Sequence, residues 1–261
     1  EKENVKTPIR CECFDNNMWI YEDPIKDHQY VNSIDVSRGD SADFSTMVVI
    51  DINTNHEVAE YQGKVPPDYL GEMVFEYSNR YQAYTVVDIT GGMGVATVLK
   101  LLDMGFDKKL LHYDNPKSKV LLEKLKIQKR GEKVPGFNVG ANRVLVVQEF
   151  ERQIRQGEFV VRSKRAIGEM KTFVYRNGRP DHMIGFHDDI ILAMAQGLFI
   201  VQTSFKNLKR YNEQTKAMLD SISANSNEYK DNITPNTNQT GRNDSKWASQ
   251  HYSWLLTPFS K

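Results

Sequence analysis

The sequence predicts an α/β protein in which a mixed sheet, an antiparallel meander plus parallel strands, is flanked by helices. Two observations carry that prediction. Three apolar runs, 30–36 (YVNSIDV), 45–52 (STMVVIDI) and 57–62 (EVAEYQ), follow one another through short polar turns, as the strands of a meander do. From residue 68 onward, stretches of helical apolar spacing alternate with short apolar runs, the order expected of helices laid against a mixed sheet.

In chain order, residues 1–29 are polar with scattered aromatics (Phe14, Trp19, Tyr21) and read as a leading segment with one short strand. The strand 30–36 carries Asp35 at its end, and Ser37-Arg38-Gly39-Asp40-Ser41 has turn chemistry. Asp51-Ile52-Asn53-Thr54-Asn55 turns the second strand into the third. After Pro66-Pro67, the residues Tyr69, Leu70, Met73, Val74 and Tyr77 recur at helical spacing over 68–81. Residues 83–89 (AYTVVDI) form a short apolar strand ending at Asp88, and Gly91-Gly92-Met93-Gly94 turns it into a helix over 95–104. Residues 108–113 read as a strand, 116–136 as a basic loop, 142–156 as an amphipathic helix and 159–161 as a strand. A helix at 165–173 leads into a further strand, and 187–205 is a long apolar helix opened by acids. The main domain is expected to span 30–221. Beyond it, 222–261 reads as an Asn/Ser/Thr-rich loop and a tail whose Trp247, Tyr252, Trp254 and Phe259 suggest docking onto the body or a partner.

With 261 residues and 39% hydrophobic content, the chain can bury one sizeable core. Lys plus Arg equals Asp plus Glu at 34 each, so net charge neither indicates nor excludes a nucleic-acid partner. Cys11 and Cys13 have no second Cys or His pair at zinc-site spacing and read as reduced bystander thiols. No apolar run approaches the ~20 residues of a membrane span. The polar start without an initiator Met points to an excised domain.

The chemistry lies in the acids. Asp35 ends the first strand of the meander, Asp88 ends the fourth strand, and Asp188 with Asp189 opens the last helix. If the first and fourth strands are neighbours, Asp35 and Asp88 lie side by side, and a helix start packed across the sheet brings the third acid to them. Such acids repel one another unless a cation neutralises them. Mg²⁺ takes hard oxygen ligands and keeps waters for a substrate phosphate, and a pair of such ions activates water and stabilises a leaving oxygen. Each acid also has an ordinary role. Asp35 could cap a turn, and Asp188 or Asp189 could be a helix N-cap. Asp88 is the hardest to explain that way, because an acid in an apolar strand is expensive without a partner.

These residues resemble the nuclease domain of tailed-phage large terminases. The resemblance rests on Ile34-Asp35-Val36-Ser37-Arg38-Gly39 with Asp43-Phe44-Ser45, on Val86-Val87-Asp88, on Gly168-Glu169-Met170-Lys171-Thr172-Phe173, and on Gly185-Phe186-His187-Asp188-Asp189-Ile190. It implies a ribonuclease H-like fold and a catalytic triad of Asp35, Asp88 and Asp188 holding Mg²⁺, with two ions and Mn²⁺ as a substitute. Asp189 would be a supplementary metal ligand and His187 would orient a ligand or water. It also implies cleavage of double-stranded concatemeric DNA during genome packaging in the cytoplasm of the infected host. The implied partners are the terminase ATPase domain, the small terminase subunit and the portal protein. Some relatives carry Glu where this chain has Asp88. No G-x-x-x-x-G-K-[ST] phosphate loop occurs, so the expected piece is the nuclease without its motor.

DNA contacts are expected from cations near the acids. The candidates are Arg38, the run Lys117, Lys119, Lys124, Lys126, Lys129 and Arg130, and Arg143 on the 142–156 helix. Three rival readings stand beside the nuclease. An actin-like or sugar-kinase-type ATPase would use Ile34–Ser37 and Val87–Gly92 as phosphate loops, but would leave His187-Asp188-Asp189 without a role. A dinucleotide site would use Gly92 and Gly94, but Thr97 stands where the third glycine or alanine belongs. A non-catalytic DNA-binding assembly module would need the acids to be idle.

Overall fold

Six strands make the main sheet: β1 (Arg10–Glu12), β2 (Met18–Ile20), β3 (Tyr30–Asp35), β4 (Ser45–Asp51), β5 (His56–Gly63) and β6 (Tyr84–Val87). Their spatial order is β1-β2-β5-β4-β3-β6. The structure is a computed structural model and describes residues 4–39, 43–114, 133–176 and 178–205, all within the unit Glu1–Lys206. β3, β4 and β5 pair antiparallel as the expected meander, and β6 runs parallel to β3. The sheet is therefore mixed, and the first and fourth strands of the sequence pattern are neighbours.

Helices cover both faces, which explains why all seven residues of β4 are buried. On one face, α1 (Pro67–Tyr81) and α2 (Val95–Asp103) bring Leu70, Val74, Val98 and Leu101 into one core with Met47 and Val49. On the other, α3 (Val139–Gln156), α4 (Lys164–Met170) and α5 (Asp189–Ile200) form a second core with Val31, Val48, Ile50 and Val86. The alternation of β4 side chains between the two cores is the period-two signature of a strand. α5 is apolar on every side because it is enclosed by the sheet, α3 and α4. It can lie so close because residue 197 is Gly: a Cβ there would stand 3.0 Å from both Ser33 Cβ and Ile50 Cδ1.

Five elements differ from the expectation. The leading segment supplies two strands, β1 and β2, which extend the sheet beyond β5. Residues 159–161 make only a single bridge, His56 with Val160. A hairpin of β9 (Phe173–Arg176) and β10 (Arg179–His182) stands apart from the main sheet, and the sequence Arg-Pro-Asp-His gives no apolar alternation from which to read β10. The 108–113 strand is reduced to a bridge at Leu111 and to β7 (Tyr113–Asp114), which pairs with β8 (Val134–Pro135). The last helix, expected over 187–205, begins two residues later, at Asp189, and continues past Ile200 as a π-helical segment, Val201–Phe205. Among the described residues no helix is long and apolar enough to cross a membrane, and Cys11 and Cys13 are free thiols. Most of the basic loop, including Lys117, Lys119, Lys124, Lys126, Lys129 and Arg130, and the whole of 222–261 lie outside the described residues.

Candidate metal centre

The parallel register of β3 and β6 pairs Val31 with Tyr84 and Ser33 with Val86. Two residues further on stand Asp35 and Asp88, on the same face of the sheet by strand alternation. That is the face covered by α5, since Ser33 meets Gly197 there. The amide of Asp88 donates to Ile34 O at 2.8 Å, so the two strand ends are held together where the acids emerge.

α5 brings the other two acids within electrostatic reach of Asp35. The Thr46 hydroxyl on β4 donates to Asp189 O at 3.0 Å, and the Phe44 amide donates to Asp189 Oδ2 at 3.1 Å. Asp188, at the N-cap position, is 5% exposed and Asp189 8%. The charges of the other three act on Asp35. Burial pushes the Asp35 carboxyl well up, and the charges of Asp88, Asp189 and Asp188 push it further, with the Arg143 guanidinium opposing them. Burial pushes Asp189 up to about 7, against the Phe44 hydrogen bond and with help from Asp188 and Asp43. Asp88 is raised by burial too, although its Oδ1 accepts from the Thr90 amide at 2.8 Å, the Thr90 hydroxyl at 2.6 Å and the Val139 amide at 3.2 Å.

The turn after β6 is shaped for this approach. A Cβ on residue 94 would stand 1.9 Å from Asp88 O, so only glycine allows α2 to start so near the strand. That steric demand accounts for Gly94 without a nucleotide.

Asp188 has its own cation. The Arg143 guanidinium on α3 hydrogen-bonds Asp188 Oδ2, donates through Nε to Pro180 O at 2.9 Å, and lies 3.8 Å from Asp181. His182 Nδ1 is 3.2 Å from Asp188 Oδ1. Among the described residues, the group of three whose ligand atoms all lie within 4.8 Å of one another is Asp181, His182 and Asp188. Asp35 and Asp88 are electrostatic neighbours of that group. The donor set fits a hard divalent cation: acidic oxygens dominate, and the charges of Asp88, Asp189 and Asp188 raise the proton affinity of Asp35, which a cation would relieve.

No protein-family model matches the sequence, and no curated protein matches it by sequence. Solved structures do match. The large terminase nuclease of thermophilic phage G20c with bound magnesium aligns at TM-score 0.53 and 19% identity, covering 75% of this chain and 93% of that one. The same nuclease with bound cobalt aligns at TM-score 0.53 and 20% identity over the same shares. The nuclease domain of the Thermus phage P74-26 large terminase aligns at 0.50 and 17%, covering 74% of this chain and 88% of that chain. This chain has the fold of a phage large terminase nuclease. In that ribonuclease H-like frame the four acids stand at strand ends and a helix start, the places where the sequence put them.

The remaining candidates of the terminase-nuclease fold fall differently. Arg38 is exposed, three residues past Asp35. Arg143 is only 15% exposed at its side chain and is engaged with Asp188 and Pro180, so its charge faces the acids rather than solvent. The reason is the fold: the start of α3 packs beside α5, which a sequence pattern does not reveal. His187 stacks edge-on against Phe44 at 4.9 Å, with Nδ1 3.7 Å from Asp189 Oδ2. Sequence reading missed Asp181 and His182, which reach the site through the β9–β10 hairpin. Glu169 lies in the 168–173 stretch that carries the resemblance, but sequence reading gave it no role.

Proposed function

We propose that this chain is the nuclease part of a phage large terminase, a divalent-metal-dependent endonuclease that cuts double-stranded concatemeric DNA during genome packaging. The observation that carries the proposal is the convergence of Asp35, Asp88, Asp188 and Asp189, from two adjacent strand ends and one helix start, on a fold shared with phage terminase nucleases. The solved relatives include magnesium- and cobalt-bound forms, which supports a divalent ion here.

In this reading Asp35, Asp88 and Asp188 hold Mg²⁺, with Asp189 as a supplementary ligand and Mn²⁺ as a substitute. When bound, such ions activate water and stabilise the leaving oxygen of a phosphodiester. The chain's own residues do the rest. Thr90 and the Val139 amide hold Asp88 Oδ1 in a single orientation. Arg143 balances the Asp188 charge. The Phe44 amide aims Asp189, and His187 stacks edge-on against Phe44 beside it. Exposed Arg38, with Lys171, Arg176 and Arg179 around the hairpin, and the basic run 117–130 would hold the DNA backbone. The products would be a 3′-hydroxyl and a 5′-phosphate. The partners in this reading are the terminase ATPase domain, the small subunit and the portal, met in the cytoplasm of the infected host.

Plasmid digestion in Mg²⁺, Mn²⁺, Ca²⁺ and EDTA tests the proposal, comparing the parent with Asp88→Asn and Asp188→Ala. Cleavage in Mg²⁺ and Mn²⁺, absent in EDTA and lost in both folded variants, is the expected result. Undiminished nicking by Asp88→Asn overturns it.

A further inference from the structure

Helix α5 has an acid at its N-cap position that does not cap it. An Asp at that position ordinarily accepts hydrogen bonds from the second and third helical amides, here those of Ile190 and Ile191. The Asp188 side chain makes no such bond. Its oxygens are turned instead to Arg143 and His182. The two amides are taken by a residue from elsewhere. Glu169 Oε2 accepts from Ile190 N at 3.0 Å and from Ile191 N at 3.1 Å. Its other oxygen, Oε1, accepts from Gln62 Nε2 on β5 at 2.9 Å. Glu169 is 8% exposed, so the carboxylate is held inside the fold between sheet and helix.

We propose that Glu169 is a positioning residue for the acid cluster: it caps α5 in place of Asp188, and so leaves the Asp188 and Asp189 side chains turned away from their own helix amides. The competition is chemical. Two buried amides at a helix start demand an acceptor, and an unmet amide costs about 1–3 kcal/mol. Asp188 is the nearest acceptor by sequence. With its oxygens engaged by Arg143 and His182 it does not serve them, so without Glu169 the helix start frays and Asp188 and Asp189 lose their fixed direction. Glu169 also fixes the height of α5 over the sheet, since Gln62 ties the same carboxylate to β5. In the metal-binding reading above, on which the consequence for cations rests, Glu169 touches no ion and acts only through the two aspartates.

Two variants separate this role from plain structural support. Glu169→Ala removes the acceptor, and Glu169→Gln keeps one acceptor oxygen while Gln62 can turn its amide to match. Mn²⁺ binding is measured by the electron paramagnetic resonance of free Mn²⁺, well below each variant's melting transition, and hydrogen exchange is followed at the Ile190 and Ile191 amides. Glu169→Ala should lose protection at both amides and bind Mn²⁺ about 10- to 100-fold more weakly, the usual range for a group that orients metal ligands. Glu169→Gln should stay close to the parent on both counts. A lowered melting temperature with unchanged Mn²⁺ affinity in Glu169→Ala overturns the proposal, as does equal weakening in both variants. A parent that binds Mn²⁺ but leaves plasmid intact refutes the nuclease reading and leaves the cap standing. If the parent binds no Mn²⁺, retained amide protection in Glu169→Ala refutes the cap on its own.

Discussion

Replacing Asp189 with Asn should stabilise the metal-free protein, and by an amount that grows with pH. The Asp189 carboxyl is buried beside Asp188 and Asp43, and its pKa is pushed from 3.8 to about 7. A raised carboxyl pKa means the fold prefers the neutral form. Its contribution is therefore intact below about pH 4 and is lost as pH rises through about 7. At ~1.4 kcal/mol per pH unit, the full ionisation penalty is about 4 kcal/mol. Asparagine cannot ionise, and its carbonyl can still accept from the Phe44 amide. Between about pH 5 and about pH 8.5 the stability difference in favour of Asp189→Asn should widen by about 2–3 kcal/mol, roughly 5–10 °C in Tm for a domain of this size. Calorimetric melting of both proteins in EDTA across that range measures it. Other titrating groups are common to the two proteins and largely cancel in the difference. A Tm offset that is flat or shrinks with rising pH would refute the reasoning, because it would mean that Asp189 pays no penalty for its charge. Excess Mg²⁺ should shift the balance back toward the parent, since an ion that binds the folded form stabilises it by mass action.

Two further outcomes follow from the same geometry. Arg143→Leu leaves Asp188 without its ion pair in a site where both side chains are at most 15% exposed; the loss should be about 3–5 kcal/mol in EDTA, read by urea unfolding, and should be smaller in Mg²⁺. Gly94→Ala forces a methyl group to within 1.9 Å of Asp88 O; it should cost about 1–3 kcal/mol and lower metal-dependent nicking by displacing Asp88, whereas an unchanged Tm would show that the turn can relax.

Much of the fold was legible because its signals are local. The apolar runs at 30–36, 45–52 and 57–62 became β3, β4 and β5 within a residue or two, and the spacing over 68–81 became α1. Burial on one face or two writes such periods directly into the chain. The outlying strands β1 and β2 are only three residues each, too short for an alternation to register. β10 is a run of polar residues that pairs through its backbone. Its hairpin delivers Asp181 and His182 to Asp188, and no spacing in the sequence connects them.

The sequence by itself determined which acids stand at strand ends and at a helix start, because an acid at the edge of an apolar run is visible as a break in the pattern. Only the tertiary structure decided what surrounds them. The parallel pairing of β3 with β6 sets Asp35 beside Asp88, α3 turns Arg143 inward onto Asp188, and Glu169 takes the amides of a helix that begins about twenty residues later. Pairing register and helix docking depend on contacts between residues far apart in the chain, and those contacts leave no period to read.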